Sequence, residues 1–135
     1  MTFYATQVLK MEKAIYPKKH LTRQLIQSKH FIDQHFGKPL QLDQIAAEGF
    51  LSKFYFVRLF KSLYGCSPYQ YLIWVRIENA KQLLGAGFSL SDVCTAVGFE
   101  SVTSFIGLFK KMTGYTPASY QKKNSNLREP GFRKN

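Results

Sequence analysis

Apolar residues recur at helical spacing through the whole middle of the chain. Leu21, Leu25, Ile32 and Phe36 step by four, seven and four, which marks one face of a helix that Gly37 and Pro39 stop. A short helix is expected at about 42–48, with Leu42, Ile45 and Ala46 inward, before Gly49 turns the chain. Ser52 is a suitable N-cap for a helix that runs to Tyr64 and ends at Gly65. Ser67-Pro68 reads as an N-cap followed by a first-turn proline, and it opens the longest helix, 68–84, closed by Gly85 and Gly87. Ser89 caps a second short helix and Gly98 turns the chain. Ser101 then caps a helix to Thr113, ended by Gly114, and Thr116-Pro117 opens a last short one. No stretch alternates as a strand requires, so the expected fold class is all-α.

Shifted by 49 residues, the chain partly overlays itself. Gly49-Phe50 falls on Gly98-Phe99, Ser52 on Ser101, Phe56 on Phe105, and Leu59-Phe60-Lys61 on Leu108-Phe109-Lys110. Gly65 meets Gly114, Ser67-Pro68 meets Thr116-Pro117, and Tyr71 meets Tyr120. Each copy is a short helix, a glycine turn and a Ser-capped helix, the shape of a helix-turn-helix. A plain helical hairpin would have the same outline, so the decision falls to the distribution of charge.

In the first copy Phe56, Leu59, Phe60 and Leu63 share a stripe and are expected in the core, which turns Lys53, Phe54, Val57, Arg58 and Lys61 outward. In the second, Phe105, Leu108, Phe109 and Met112 are the expected core, and Val102, Thr103, Ile106, Gly107 and Lys110 face out. Apolar groups beside basic ones on an exposed face suit a groove that offers thymine methyls and phosphates. The overall charge agrees: 19 Lys and Arg against 8 Asp and Glu give +11, a field that favours a polyanionic partner. A connecting helix of 17 residues would be about 25 Å long at 1.5 Å per residue. With two helix widths added, that matches the roughly 34 Å between successive major grooves on one side of B-DNA.

The ends differ from this middle. Residues 1–20 lack a clear period, carry a net +3 from Lys10, Lys13, Lys18, Lys19 and Glu12, and read as a loosely attached arm. Residues 122–135 are polar and basic, are broken by Pro130 and Gly131, and read as a disordered tail. The domain plan is therefore an arm (1–20), a first helix-turn-helix subdomain (21–67), a connecting helix (68–84), a second subdomain (85–121) and a basic tail (122–135).

Enzyme chemistry finds no support. His20, His30 and His35 lack metal-ligand spacing, and no nucleotide-binding or nucleophile-elbow string occurs. Asp43 and Asp92 both fall in the first turn of a short helix, where a carboxylate favours the helix dipole. Cys66 and Cys94 read as buried free thiols of a reducing compartment. No secretory signal or membrane-length apolar run appears, which points to the cytoplasm. No cofactor is expected.

These features resemble the DNA-binding domain of the AraC/XylS family of transcription regulators. The matching stretches are LQLDQIAAEGFLSKFYFVRLFKSLYGCSPYQYL and SLSDVCTAVGFESVTSFIGLFKKMTGYTPASY, with RIENAKQLL between them, and the likeness covers about 21–123. It implies a two-lobed helical domain that binds double-stranded DNA. At 135 residues there is no room for the ligand-binding domain many members carry, so the chain resembles stand-alone members, which bind as monomers. Carried over by position, Lys53, Phe54, Val57, Arg58, Val102, Thr103, Ile106 and Gly107 are candidate base contacts. Ser52, Lys61, Ser101, Lys110 and Lys111 are candidate phosphate contacts, and RNA polymerase is a candidate partner. Two positions depart from the pattern: the family usually has glycine where Phe50 stands and arginine where Gly107 stands. A non-specific DNA-binding or protein-interaction adaptor is the alternative function. A membrane-surface binder ranks last, because no helix combines a broad apolar face with a basic one.

Overall fold

The computed structural model describes residues 19–132. Among them seven helices follow one another and no strand occurs: α1 (Lys19–His35), α2 (Leu42–Glu48), α3 (Lys53–Tyr64), α4 (Pro68–Gly85), α5 (Leu90–Ala96), α6 (Val102–Thr113) and α7 (Pro117–Phe132). The chain forms two compact units. The first comprises α1 and Leu40–Ile73; the second comprises Phe36–Pro39 and the chain from Trp74 onward.

The helix boundaries follow from local hydrogen bonding. Ser52, Ser89 and Ser101 each accept a bond on the side-chain oxygen from the backbone N–H three residues later (Tyr55 at 3.3 Å, Asp92 at 3.2 Å, Ser104 at 3.2 Å). Ser67 and Gln70 form a reciprocal pair at the start of α4: Gln70 N–H donates to Ser67 Oγ at 3.1 Å, and Ser67 N–H to Gln70 Oε1 at 2.9 Å. Gly65 and Gly114 end α3 and α6 in the left-handed region, at φ 79° and 85°.

Each unit has its own core, and the two cores repeat one design. In the first, Leu25 and Ile32 of α1, Ile45 and Ala46 of α2, and Phe56, Leu59 and Phe60 of α3 are buried. In the second, Ile77, Ala80 and Leu84 of α4 pack with Val93, Cys94 and Val97 and with Phe105 and Phe109 of α6. Phe56 meets Phe60 edge-on at 5.6 Å between centroids, and Phe105 meets Phe109 edge-on at 5.7 Å. Phe60 then packs on Tyr71 at 5.7 Å, and Phe109 on Tyr120 at 5.4 Å. Fully burying one such phenyl group contributes about 1.5–3 kcal/mol.

Three expectations need correction. Leu63 and Met112 are not core; each is 41% exposed. They occupy the same place in the two copies, in the last turn, where the left-handed glycine ends the helix and the side chain overhangs the packed face. Leu108 is half-buried. The last helix is not short: α7 runs on to Phe132, through the segment expected to be a tail. Gln121 ties its first half down by donating to the carbonyls of Leu84 (3.1 Å) and Phe88 (2.8 Å), and Pro130 falls only in its final turn. Of the expected arm, Lys19 and His20 open α1 and the rest lies outside the described residues.

The repeat is also not uniform. Phe50 N–H donates to Ala47 O at 2.9 Å and Leu51 N–H to Ala46 O at 3.0 Å; Gly98 and Phe99 make the matching bonds to Thr95 O (3.2 Å) and Cys94 O (3.1 Å). Phe50, at φ 60°, is therefore the partner of Gly98, at φ 96°. The offset is 48 through the turn and 49 after it, because Glu100 is an extra residue in the second copy.

Candidate nucleic-acid interface

The first candidate face lies on α3. Lys53, Phe54, Arg58 and Lys61 are exposed, and Val57 is half-buried rather than fully outward. Phe54, Arg58 and Lys61 are four and three residues apart and so line one side of the helix. Phe54 is 76% exposed, and the Lys53 ammonium lies 5.7 Å from its ring centroid. Ser52 uses its oxygen to cap the helix, which leaves its O–H free to donate outward.

On α6, Val102, Thr103, Gly107, Lys110 and Lys111 are exposed, and Ile106 is half-buried. Ser101 caps this helix as Ser52 caps α3. At the position of Arg58 stands Gly107, and a Cβ placed there would meet nothing within 4 Å. The two faces therefore occupy equivalent places in the two units but differ in their longest donor.

Charge is sorted between helices. The short helices α2 and α5 carry Asp43 and Asp92 in their first turns, whereas α3 and α6 have no acidic residue there and end on Lys61 and on Lys110 and Lys111. Those lysines favour the negative end of the helix dipole. Among the described residues the ion pairs, Lys29–Asp33 at 3.6 Å and Lys81–Glu78 at 3.0 Å, lie off both faces.

Each face is held from behind by polar groups that the sequence reading did not single out. In the first unit Tyr71 donates to Asp33, and Lys29 lies 4.8 Å from the Tyr71 ring and 5.6 Å from that of Tyr64. Burial pushes both tyrosines above their ordinary 10.0, and the hydrogen bond with Tyr71 raises Lys29 above 10.5. Gln24 donates to the carbonyls of Gly49 (2.7 Å) and Phe50 (3.3 Å), which fixes the turn ahead of α3. In the second unit the buried Arg76 donates to Phe36 O at 2.7 Å and Lys38 O at 2.9 Å, and its guanidinium lies 5.7 Å from the Phe99 ring. Arg76 opens the RIENAKQLL string, so its importance was signalled by resemblance, though its burial was not.

Phe50, which stands where the family usually has glycine, takes the left-handed conformation itself. It is 80% exposed, two residues ahead of Ser52, in a conformation usually left to glycine. Cys94 is buried and Cys66 half-buried, and both are free thiols. Among the described residues no three His, Cys, Asp or Glu side chains gather as metal ligands, and no helix is long and apolar enough to cross a membrane.

Comparison with known proteins places this geometry. The chain is 31% identical over 116 residues to the probable transcriptional regulator LumQ of Photobacterium leiognathi, a match that covers 84% of this chain and 47% of that protein. It thus spans less than half the length of that relative. Among solved structures, the DNA-binding domain of the global transcriptional factor AdpA, crystallised with a target DNA, superposes with a TM-score of 0.75 at 30% identity, covering 79% of this chain and 97% of that one. A transcriptional regulator of Chromobacterium violaceum described as having an AraC-type DNA-binding domain gives 0.71 at 26% identity, covering 77% and 94%. A helix-turn-helix domain model matches residues 45–123, which take in both α3 and α6, and the chain belongs to the AraC-type helix-turn-helix family of transcription regulators.

Proposed function

We propose that this chain is a sequence-specific DNA-binding regulator of transcription that acts as a monomer and inserts α3 and α6 into adjacent major grooves. The observation that carries the reading is the duplicated face. At equivalent places two helices bury a pair of phenylalanines on one side, Phe56 and Phe60 or Phe105 and Phe109, and expose basic and apolar groups, with the hydroxyls of their caps, on the other. Lys53, Phe54, Val57 and Arg58 of the first helix, and Val102, Thr103, Ile106 and Gly107 of the second, approach base edges. Ser52, Lys61, Ser101, Lys110 and Lys111 hold phosphates. RNA polymerase is the protein partner on which such a regulator acts.

The two faces do unequal work. Arg58 can make a bidentate contact to guanine worth about 1–3 kcal/mol of discrimination, and α6 offers no comparable donor at that position. The half-site under α3 is stringent and the one under α6 relaxed. Selection from a random DNA pool tests this: one half of the recovered site is strongly biased and the other weakly. Equal bias in both halves, or bias confined to the α6 half, contradicts it. If 6–10 phosphates are engaged, affinity falls about 10³–10⁵-fold between 50 and 200 mM salt.

The missing donor on α6 favours one second reading, an adaptor that holds DNA by charge and works through protein contacts. Competition with random DNA separates the two, since only specific binding survives an excess of it.

A further inference from the structure

We propose that Gly107 marks where the backbone of α6 comes into direct contact with the duplex, a contact that one added methyl group would block. The inference rests on the reading of α6 as a DNA-contacting helix and adds how that helix makes its contact. Most other glycines among the described residues answer to something inside the protein, and Gly85 closes α4 with Asn124 Nδ2 3.4 Å from where its Cβ would project. Gly65, Gly87, Gly98 and Gly114 have φ between 79° and 97°, and Gly37 and Gly49 back onto the carbonyls of Ala96 and Gln24. Gly107 has neither reason. It sits in the middle of α6, is exposed, and has open space where a Cβ would project. Alanine there would make the better helix.

What surrounds it has the chemistry of a polyanion site. One turn before it stand the exposed hydroxyls of Thr103 and Ser104, and one turn after it the exposed ammonium groups of Lys110 and Lys111. Ser104, Lys110 and Lys111 can bond phosphate oxygens beside the groove, and a bare backbone between them and Thr103 lets the helix settle closer to the base edges. In α3 the same position carries Arg58, which reaches out instead. The first helix reads at arm's length, and the second is seated by contact. Seating of this kind positions the protein and carries little base preference, which agrees with a relaxed half-site.

The test uses Gly107→Ala in the full chain and a duplex recovered by the wild type from a random pool. The melting temperature rises by a few degrees. Affinity for the duplex weakens about tenfold or more, and by a similar factor when single bases under α6 are changed. A higher melting temperature with unchanged or tighter binding overturns the inference. A lower melting temperature also overturns it, because some internal contact would then require the glycine. If the wild type itself prefers no recovered duplex to random DNA, the DNA reading beneath the inference fails and the inference falls with it.

Discussion

The two turns ahead of α3 and α6 solve one problem in different ways. Each must pass a residue through the left-handed region and each must pack closely against a preceding segment. In the second unit Gly98 does both: its φ is 96°, and a Cβ there would lie 2.7 Å from Phe36 O and 3.0 Å from Arg76 Nε. In the first unit the jobs fall on neighbours. Gly49 takes the close approach, since a Cβ there would fall on Gln24 O and Ser28 Oγ, and Phe50 takes the left-handed turn. Only the steric demand is absolute. A left-handed phenylalanine costs about 1–2 kcal/mol, which a folded unit can absorb, whereas a methyl group overlapping a backbone carbonyl cannot be accommodated without moving a helix. The comparison shows why glycine stands at 49 and not at 50.

The largest test of this contrast concerns the polar clamps. Arg76 holds two carbonyls with a charged group, and Gln24 holds two with a neutral amide. Arg76→Ala should destabilise the second unit by about 3 kcal/mol or more, and Gln24→Ala the first by about 1 kcal/mol. Amide hydrogen exchange at Val93 and Phe105, against Phe56 and Phe60, reads the units separately; equal losses would show that the clamps are equivalent. Next come the turns themselves. Gly49→Ala should cost about 1–3 kcal/mol by overpacking, and Phe50→Gly should stabilise by about 1 kcal/mol. Opposite signs at adjacent positions, measured as urea midpoints, would be hard to obtain any other way.

The smallest effect is alkaline. Tyr71 and Lys29 have folded-state values raised above 10.0 and 10.5, so their contribution is complete below those values and is lost as pH rises through the raised ones. Cys94, which burial raises above 9.0, gives the second unit a loss that starts lower. Tyr71→Phe should reduce the decline of the first unit above pH 10 to the part that the buried Tyr64 leaves, and leave that of the second unchanged; an undiminished decline in the first unit removes Tyr71 from the account.

Much of this was legible in the residues. Ser52, Ser67, Ser89 and Ser101 cap helices through local bonds three residues long, so sequence alone locates them. The outward placement of Lys53, Phe54, Arg58, Thr103 and Gly107 follows from helical spacing against the buried phenylalanines. What stayed hidden depends on distance along the chain. Arg76 and Phe36 are 40 residues apart, and nothing local announces that a guanidinium is buried there. The one-residue slip at the turn was masked because glycine occurs in both copies for different reasons. Leu63 and Met112 have core periodicity but lie past the end of the packed face. The length of α7 rests on Gln121 reaching back to Leu84 and Phe88, a contact no periodicity encodes.

The central claim is that α3 and α6 both meet DNA, with unequal parts in reading it. The most direct measurement is parallel selection from a random duplex pool with the wild type and with Arg58→Ala. The account predicts that the wild type recovers a site with one guanine-dependent half, and that the variant binds more weakly and loses preference at that base while the other half is unchanged. An identical recovered site from both proteins would contradict it.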